Sequence, residues 1–135
     1  MAAGQVGRDG GREDHAARVR CSGAAGLHPG APLQTGRAIW DALPIEAKGE
    51  TWGDEIYFGI GLTAAAEAPR EVVDAGDLGY WPPGRAFCIF FGPTPVSHAD
   101  ECRPASPVNV VGKVVGDARV FKKVRAGTRV TIERQ

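Results

Sequence analysis

An excess of charge of either sign is missing from this 135-residue chain: lysine plus arginine and aspartate plus glutamate each number 16, so the formal net charge is zero. No whole-molecule field draws it to nucleic acid or to a membrane surface, and neither is an expected partner. Long apolar runs are missing too. Stretches such as Ala86 to Phe91 fall far short of the roughly 20 residues that a membrane-spanning helix requires. Arg8, Asp9, Arg12, Glu13 and Asp14 come before any apolar stretch, and no hydrophobic core of a secretory signal follows them, so the expected compartment is the cytoplasm. Cysteine is scarce. Cys21, Cys88 and Cys102 are odd in number, widely spaced and without a C-x-x-C pair, which argues against a disulfide framework and a cysteine-rich zinc site and fits a reducing compartment.

Familiar catalytic signatures are absent as well. No Ser/His/Asp arrangement or phosphate loop occurs, and Gly59-Ile-Gly61 lacks the strand-to-helix context of a dinucleotide site. Asp54 and Glu55 are adjacent, so on a strand they point to opposite faces and cannot act as a carboxylate pair. His98, Asp100, Glu101 and Cys102 match no zinc spacing and read as a polar loop, so neither a metal nor a cofactor is expected. Cys88 alternates within an apolar strand and reads as core.

What is present is an ordinary globular composition, 43% hydrophobic and 24% charged, in a chain long enough for one core and too short for two. Residues 1–32 are rich in Gly, Ala and Arg without sustained periodicity, and read as a flexible or atypical arm with at most one short strand around Val19. Thr35 is placed to cap a helix carrying Ile39, Trp40 and Leu43 at helical spacing, which Pro44 stops. Thr51 to Ile60 reads as a strand. Gly76 to Tyr80 and Ala86 to Phe91 form a hairpin across Trp81-Pro82-Pro83-Gly84-Arg85, with Pro83-Gly84 suited to the centre of a type II turn. A proline-rich loop, Gly92 to Pro107, is long enough to wall a site. Further strands follow at Val108 to Val115 and Arg129 to Glu133, with a short helix over Asp117 to Val124. Several short strands, few helices and no internal repeat predict a small β-barrel or sandwich with a helical plug.

Four strings carry a family resemblance: Thr51-Trp-Gly-Asp-Glu-Ile-Tyr-Phe58, Gly76-Asp-Leu-Gly-Tyr-Trp-Pro-Pro-Gly84, Phe90-Phe-Gly-Pro-Thr-Pro95 and Ser106-Pro-Val-Asn-Val-Val-Gly-Lys113. In this order they resemble the cyclophilin-like family of small bacterial and archaeal proteins, from about Leu33 to the C-terminus. Gly112 to Val124 also resembles the segment near the end of true cyclophilins, where a strand leads into a short helix. The resemblance implies a mainly β fold, a closed cyclophilin-like barrel over residues 33–135 with one or two short capping helices. Family members carry a strand pair before the helix, where this chain has its arm. If the arm does not supply those strands, the open edges predict reduced stability or a homodimer.

The resemblance also frames the activity. Prolyl isomerisation needs no acid or base, since its barrier of about 18–20 kcal/mol comes from amide resonance; it needs an apolar pocket and, in cyclophilins, an arginine at the prolyl amide. Cyclophilins carry that arginine in a Phe-His-Arg string where this chain has Glu55-Ile-Tyr-Phe58, and their glutamine before Gly-Gly-Asp stands here as Asp74. The reading is therefore a noncatalytic or weakly catalytic domain that binds a peptide or small molecule beside Trp52, Glu55, Tyr57, Tyr80, Trp81, Phe91 and Asn109. Glu55 and Asn109 supply its polar contacts, and Tyr57, Trp81 and Phe91 its apolar walls. The alternatives are an isomerase with a relocated arginine, Arg85 being the candidate, and a structural subunit whose barrel face docks a protein partner.

Overall fold

A computed structural model describes residues 2–8, 15–21 and 33–134. The fold is mainly β: β1 (Ala2–Arg8), β2 (His15–Cys21), α1 (Leu33–Ala42), β3 (Ile45–Thr51), β4 (Glu55–Gly59), β5 (Asp77–Trp81), β6 (Ala86–Phe90), β7 (Asn109–Val115) and β8 (Thr128–Arg134), with short 3-10 helices at Pro82–Gly84 and Ala118–Lys123. The strands form a strongly curled sheet in the order β1-β2-β8-β3-β4-β6-β5-β7. Its ends meet where Ala2 and Ala3 of β1 lie in parallel register with Val114 and Val115 of β7. No helix among the described residues is long and apolar enough to cross a membrane.

Alternation along the strands sorts side chains onto two faces. Ile56 and Phe58 of β4, Leu78 and Tyr80 of β5, Phe87 and Ile89 of β6, Val111 of β7 and Val130 and Ile132 of β8 point inward and join one core with Ala17 and Val19 of β2 and Ile39 and Leu43 at α1. Cys88 and Phe90 of β6, Val110 of β7 and their neighbour Val108 point the other way and join Val73 and Cys102 in a second cluster. This second cluster exists because the loop from Gly92 to Pro107 folds back over the outer face. Backbone pairs from Val73 to Cys102 and from Arg70 to Val108 tie the segments down. Covered on both sides, β6 is buried at every position, which is why it reads as a continuous apolar run rather than an alternating one.

The structure corrects four expectations. Ala2–Arg8, read as part of a flexible arm, is a strand, and the short strand allowed around Val19 is β2: β1 pairs antiparallel with β2, and β2 runs parallel to β8 from Ala16↔Arg129 to Cys21↔Arg134. These pairs occupy the edges on which the dimer expectation rested; the rest of the arm lies outside the described residues. The strand expected over Thr51 to Ile60 is shorter, β4 from Glu55 to Gly59, and a further strand that was not expected, β3 from Ile45 to Thr51, leads into it through a turn in which Gly53 has φ +59°. β3 escapes a pattern reading because its sole buried residue is Gly49, where a Cβ would stand 2.9 Å from Val130 and 3.0 Å from Ile56. Thr35 lies inside the first turn of α1 rather than capping it, its N–H and hydroxyl both donating to the Glu67 carboxylate. The β5–β6 connection is a 3-10 turn in which Arg85, not Gly84, takes the left-handed conformation at φ 47°.

Candidate functional site

The outer face of β4, the end of β5 and the returning loop enclose an open pocket of about 290 Å³ lined by Trp52, Glu55, Tyr57, Trp81, Pro104, Ala105 and Val108. Strand parity puts Glu55 and Tyr57 side by side on β4, facing away from the inner core that takes Ile56 and Phe58. Trp52 reaches the pocket from the β3–β4 turn, whose geometry is fixed by the Trp52 N–H donating to the Glu55 carbonyl at 2.9 Å. Trp81 is held at two places. Its indole N–H donates to the Ser106 hydroxyl at 2.6 Å, and its ring lies against Gly84, where a Cβ would stand 2.6 Å from two ring carbons. Glycine is needed there for that close approach, since the left-handed residue of this turn is Arg85.

Of the seven residues expected at the site, four line this pocket: Trp52, Glu55, Tyr57 and Trp81. The other three lie on the inner side of the sheet. Tyr80 is 1% exposed, and its hydroxyl donates to the Leu62 carbonyl and accepts from the Ala64 N–H. Phe91 packs on Phe121 with ring centroids 6.3 Å apart. Asn109 is fully buried, its Oδ1 accepting from the Glu67 N–H and its Nδ2 donating to the Ala65 carbonyl and the Thr35 hydroxyl. The separating signal was in the numbering: Tyr80 and Trp81 are consecutive on one strand, as are Val108 and Asn109 at the start of β7, so each pair straddles the sheet. Arg85 is exposed in the turn and does not line the pocket. Pro104, Ala105 and Val108 are lining residues that residue-level reading did not single out, although the length of their loop was the signal for a wall.

Glu55 sets the electrostatics. Only 6% exposed and surrounded by rings and aliphatic groups, its carboxyl is raised by burial from its ordinary 4.5 to about 7, and a hydrogen bond with the Cys88 thiol opposes the shift. The same burial, with the nearby carboxylate, pushes the Cys88 thiol well above its ordinary value, so it stays protonated. Because the folded state holds this proton more tightly than the unfolded chain, stability falls as pH rises from about 4.5 to about 7. The full loss is on the order of 3 kcal/mol above that window. Glu55→Gln, which keeps the shape and cannot ionise, is expected to flatten that slope and to be the more stable protein at pH 8. Urea midpoints at pH 5 and pH 8 measure it, and an unchanged slope would show that Glu55 does not carry the proton.

The family model described as Cyclophilin-like matches residues 25–133. A hypothetical protein from Archaeoglobus fulgidus, known from its solution structure, is 45% identical, with a TM-score of 0.67 over 81% of this chain and 83% of that one. No functionally curated protein matches. The family model spans β4, β5 and the loop that build the pocket, and the archaeal protein is 45% identical over most of the chain: the chain belongs to the cyclophilin-like family.

Proposed function

We propose that the chain is a ligand-binding domain, noncatalytic or weakly catalytic, whose site is the pocket between β4 and the outer loop on a closed cyclophilin-like barrel. One observation carries this reading: a buried carboxyl, Glu55, opens onto a pocket whose other walls are aromatic and aliphatic. A carboxyl in such surroundings costs free energy that a purely structural core would avoid. A few convergent polar groups in an otherwise apolar concavity is the usual make-up of a small-molecule or peptide site. Its half-buried rings, Trp52, Tyr57 and Trp81, give a ligand flat apolar area at little entropic cost. Barrel closure is supported by the short β1–β7 ladder. The weight placed on binding rather than isomerisation rests on the lining residues, which include Glu55 and no arginine.

Chemical-shift mapping on the ¹⁵N-labelled chain, titrated with a set of small aromatic, amine and proline-containing peptide fragments, tests it. Binders are expected to perturb the indole N–H signals of Trp52 and Trp81 together with the amides of Tyr57 and Val108. Gly84→Ala, which drives a Cβ into the Trp81 ring, is expected to weaken them roughly tenfold, the equivalent of about 1.4 kcal/mol. Fragments that map instead to the inner side around Asn109, or affinities untouched by Gly84→Ala, would overturn this assignment.

A further inference from the structure

Building on the ligand-pocket reading, we infer that the group this pocket takes is an organic ammonium ion, an alkylated amine seated among Trp52, Tyr57 and Trp81 with its charge facing Glu55. The composition of the wall selects the charge. Three aromatic side chains line the pocket, whose π-systems attract a cation, and a carboxylate beside them adds a charge of the right sign when ionised. Anions find no match here. The Trp81 indole N–H, a donor an anion would seek, is already given to Ser106, and no lysine or arginine lines the pocket.

The cations of the neighbourhood are committed elsewhere. Arg103, next to the lining residue Pro104, pairs with Glu101 at 2.7 Å; Lys122 lies 3.8 Å from Asp54; Lys113 lies between Asp74 and Asp77. Among the described residues no basic side chain forms an ion pair with Glu55. The remaining walls separate an organic cation from an inorganic one. Pro104, Ala105 and Val108 offer only aliphatic surface, which suits methyl and methylene groups and cannot replace the oxygen shell of a metal ion. No group of three metal-ligating side chains occurs among the described residues.

Binding and protonation compete at Glu55. In the empty pocket the carboxyl is partly protonated near neutrality, and an ammonium ion entering beside it displaces that proton. The other titratable groups packed around it are the Tyr57 phenol on β4 and the Cys88 thiol on β6. β5 contributes Trp81, the loop Pro104 and Ala105, and the segment leading into β7 Val108, none of which titrates. Affinity for an ammonium ligand therefore rises with pH through the Glu55 transition, by about tenfold between pH 6 and pH 8 for a carboxyl titrating near 7.

The probe is choline, set against its uncharged isostere in which carbon replaces the nitrogen, both titrated into the full chain and followed by the indole N–H signals at pH 6 and pH 8. Choline is expected to bind at least about tenfold more tightly than the isostere at pH 8 and to lose that advantage at pH 6. In Glu55→Gln its affinity is expected to fall about tenfold toward that of the isostere and to become independent of pH. Trp81→Leu, which leaves the carboxyl in place, is expected to weaken choline more than the isostere. Equal binding of the two probes, or a choline affinity indifferent to Glu55→Gln, overturns the ammonium assignment while leaving a ligand pocket in place. Failure of choline to bind while the fragment set still maps to the pocket does the same. Fragments mapping elsewhere overturn the pocket reading itself.

Discussion

Phe87→Ala is expected to destabilise the protein by about 3–5 kcal/mol, the usual cost of emptying a fully packed aromatic site. For a domain of this length that is a fall in Tm of roughly 10–20 °C. Phe87 is 1% exposed on β6, which lies between β4 and β5, so no free edge can close over the hole. Across β4 it stands opposite Phe58, with ring centroids 5.6 Å apart, and across β5 opposite Tyr80. Removing the ring costs its own transfer free energy and the contacts of both partners. Phe87→Leu, which refills much of the volume, is expected to recover more than half of the loss. Thermal unfolding of the two variants decides it: a fall below about 5 °C for Phe87→Ala would mean that the strands close around the gap and that β6 is not the rigid centre of the sheet.

Asn109→Leu is the second large effect. Leucine keeps the number and branching of the side-chain heavy atoms, so most of the cost comes from the lost hydrogen bonds. Asn109 accepts from the Glu67 N–H at 2.8 Å and donates to the Ala65 carbonyl at 2.9 Å and to the Thr35 hydroxyl at 3.2 Å. The Glu67 carboxylate in turn takes hydrogen bonds from the N–H and hydroxyl of Thr35, so one buried amide links α1, the segment after β4 and the start of β7. Leucine would leave three groups unmatched, each costing about 1–3 kcal/mol where water cannot replace the partner, for a total on the order of 4 kcal/mol. The measurement is twofold. Tm is expected to fall by roughly 10–15 °C, and amide exchange to accelerate at Ala65 and Glu67 well beyond its change on β6. Uniform acceleration, or a loss below about 1 kcal/mol, would show that water satisfies the ring and that Asn109 is not its hub.

Asn109 bears directly on how the site is recognised. The sequence groups it with Glu55 as a polar contact for a ligand, Phe91 with Tyr57 and Trp81 as apolar walls, and Tyr80 beside them. The structure gives Asn109 and Tyr80 full sets of internal partners and packs Phe91 on Phe121. The four that meet in the pocket share one property, their placement on the outer side of β4 and β5 or in the turn just before β4. Residue type does not separate the sets, since tyrosine occurs in both. Parity does, and it could be applied only once the strand limits were known, because a shift of one residue exchanges the two faces.

Much of the chain was legible before any coordinates. The run Ala86 to Phe91, the alternation of Val130 and Ile132, the helix around Ile39, Trp40 and Leu43, and three of the four family strings depend on local pattern, and the structure places a strand or helix at each; the fourth string, Phe90 to Pro95, leaves β6 at Phe90 and enters the loop. β3 was not legible, because its outward residues Glu46, Lys48 and Glu50 face solvent and its buried position is a glycine. β1 was not legible, and β2 only as one short strand around Val19, because β2 gains its place through parallel pairing with β8, more than a hundred residues away in the chain. Such pairing leaves little local trace, since the partner supplies both the hydrogen bonds and the apolar cover.

By itself, then, the sequence determined the class of the fold, the position of most strands, and the presence of a carboxyl and several aromatic residues where cyclophilins carry an arginine. Only the tertiary structure decided which of those aromatics hold the core and which line the outer pocket, and that the loop from Gly92 to Pro107 roofs the outer face. It also decided that Glu55 titrates near neutrality. The reason is physical. Hydrophobic pattern and propensity act over a few residues, whereas burial, and the pKa shift that follows from it, depend on which distant segments are brought to cover a side chain.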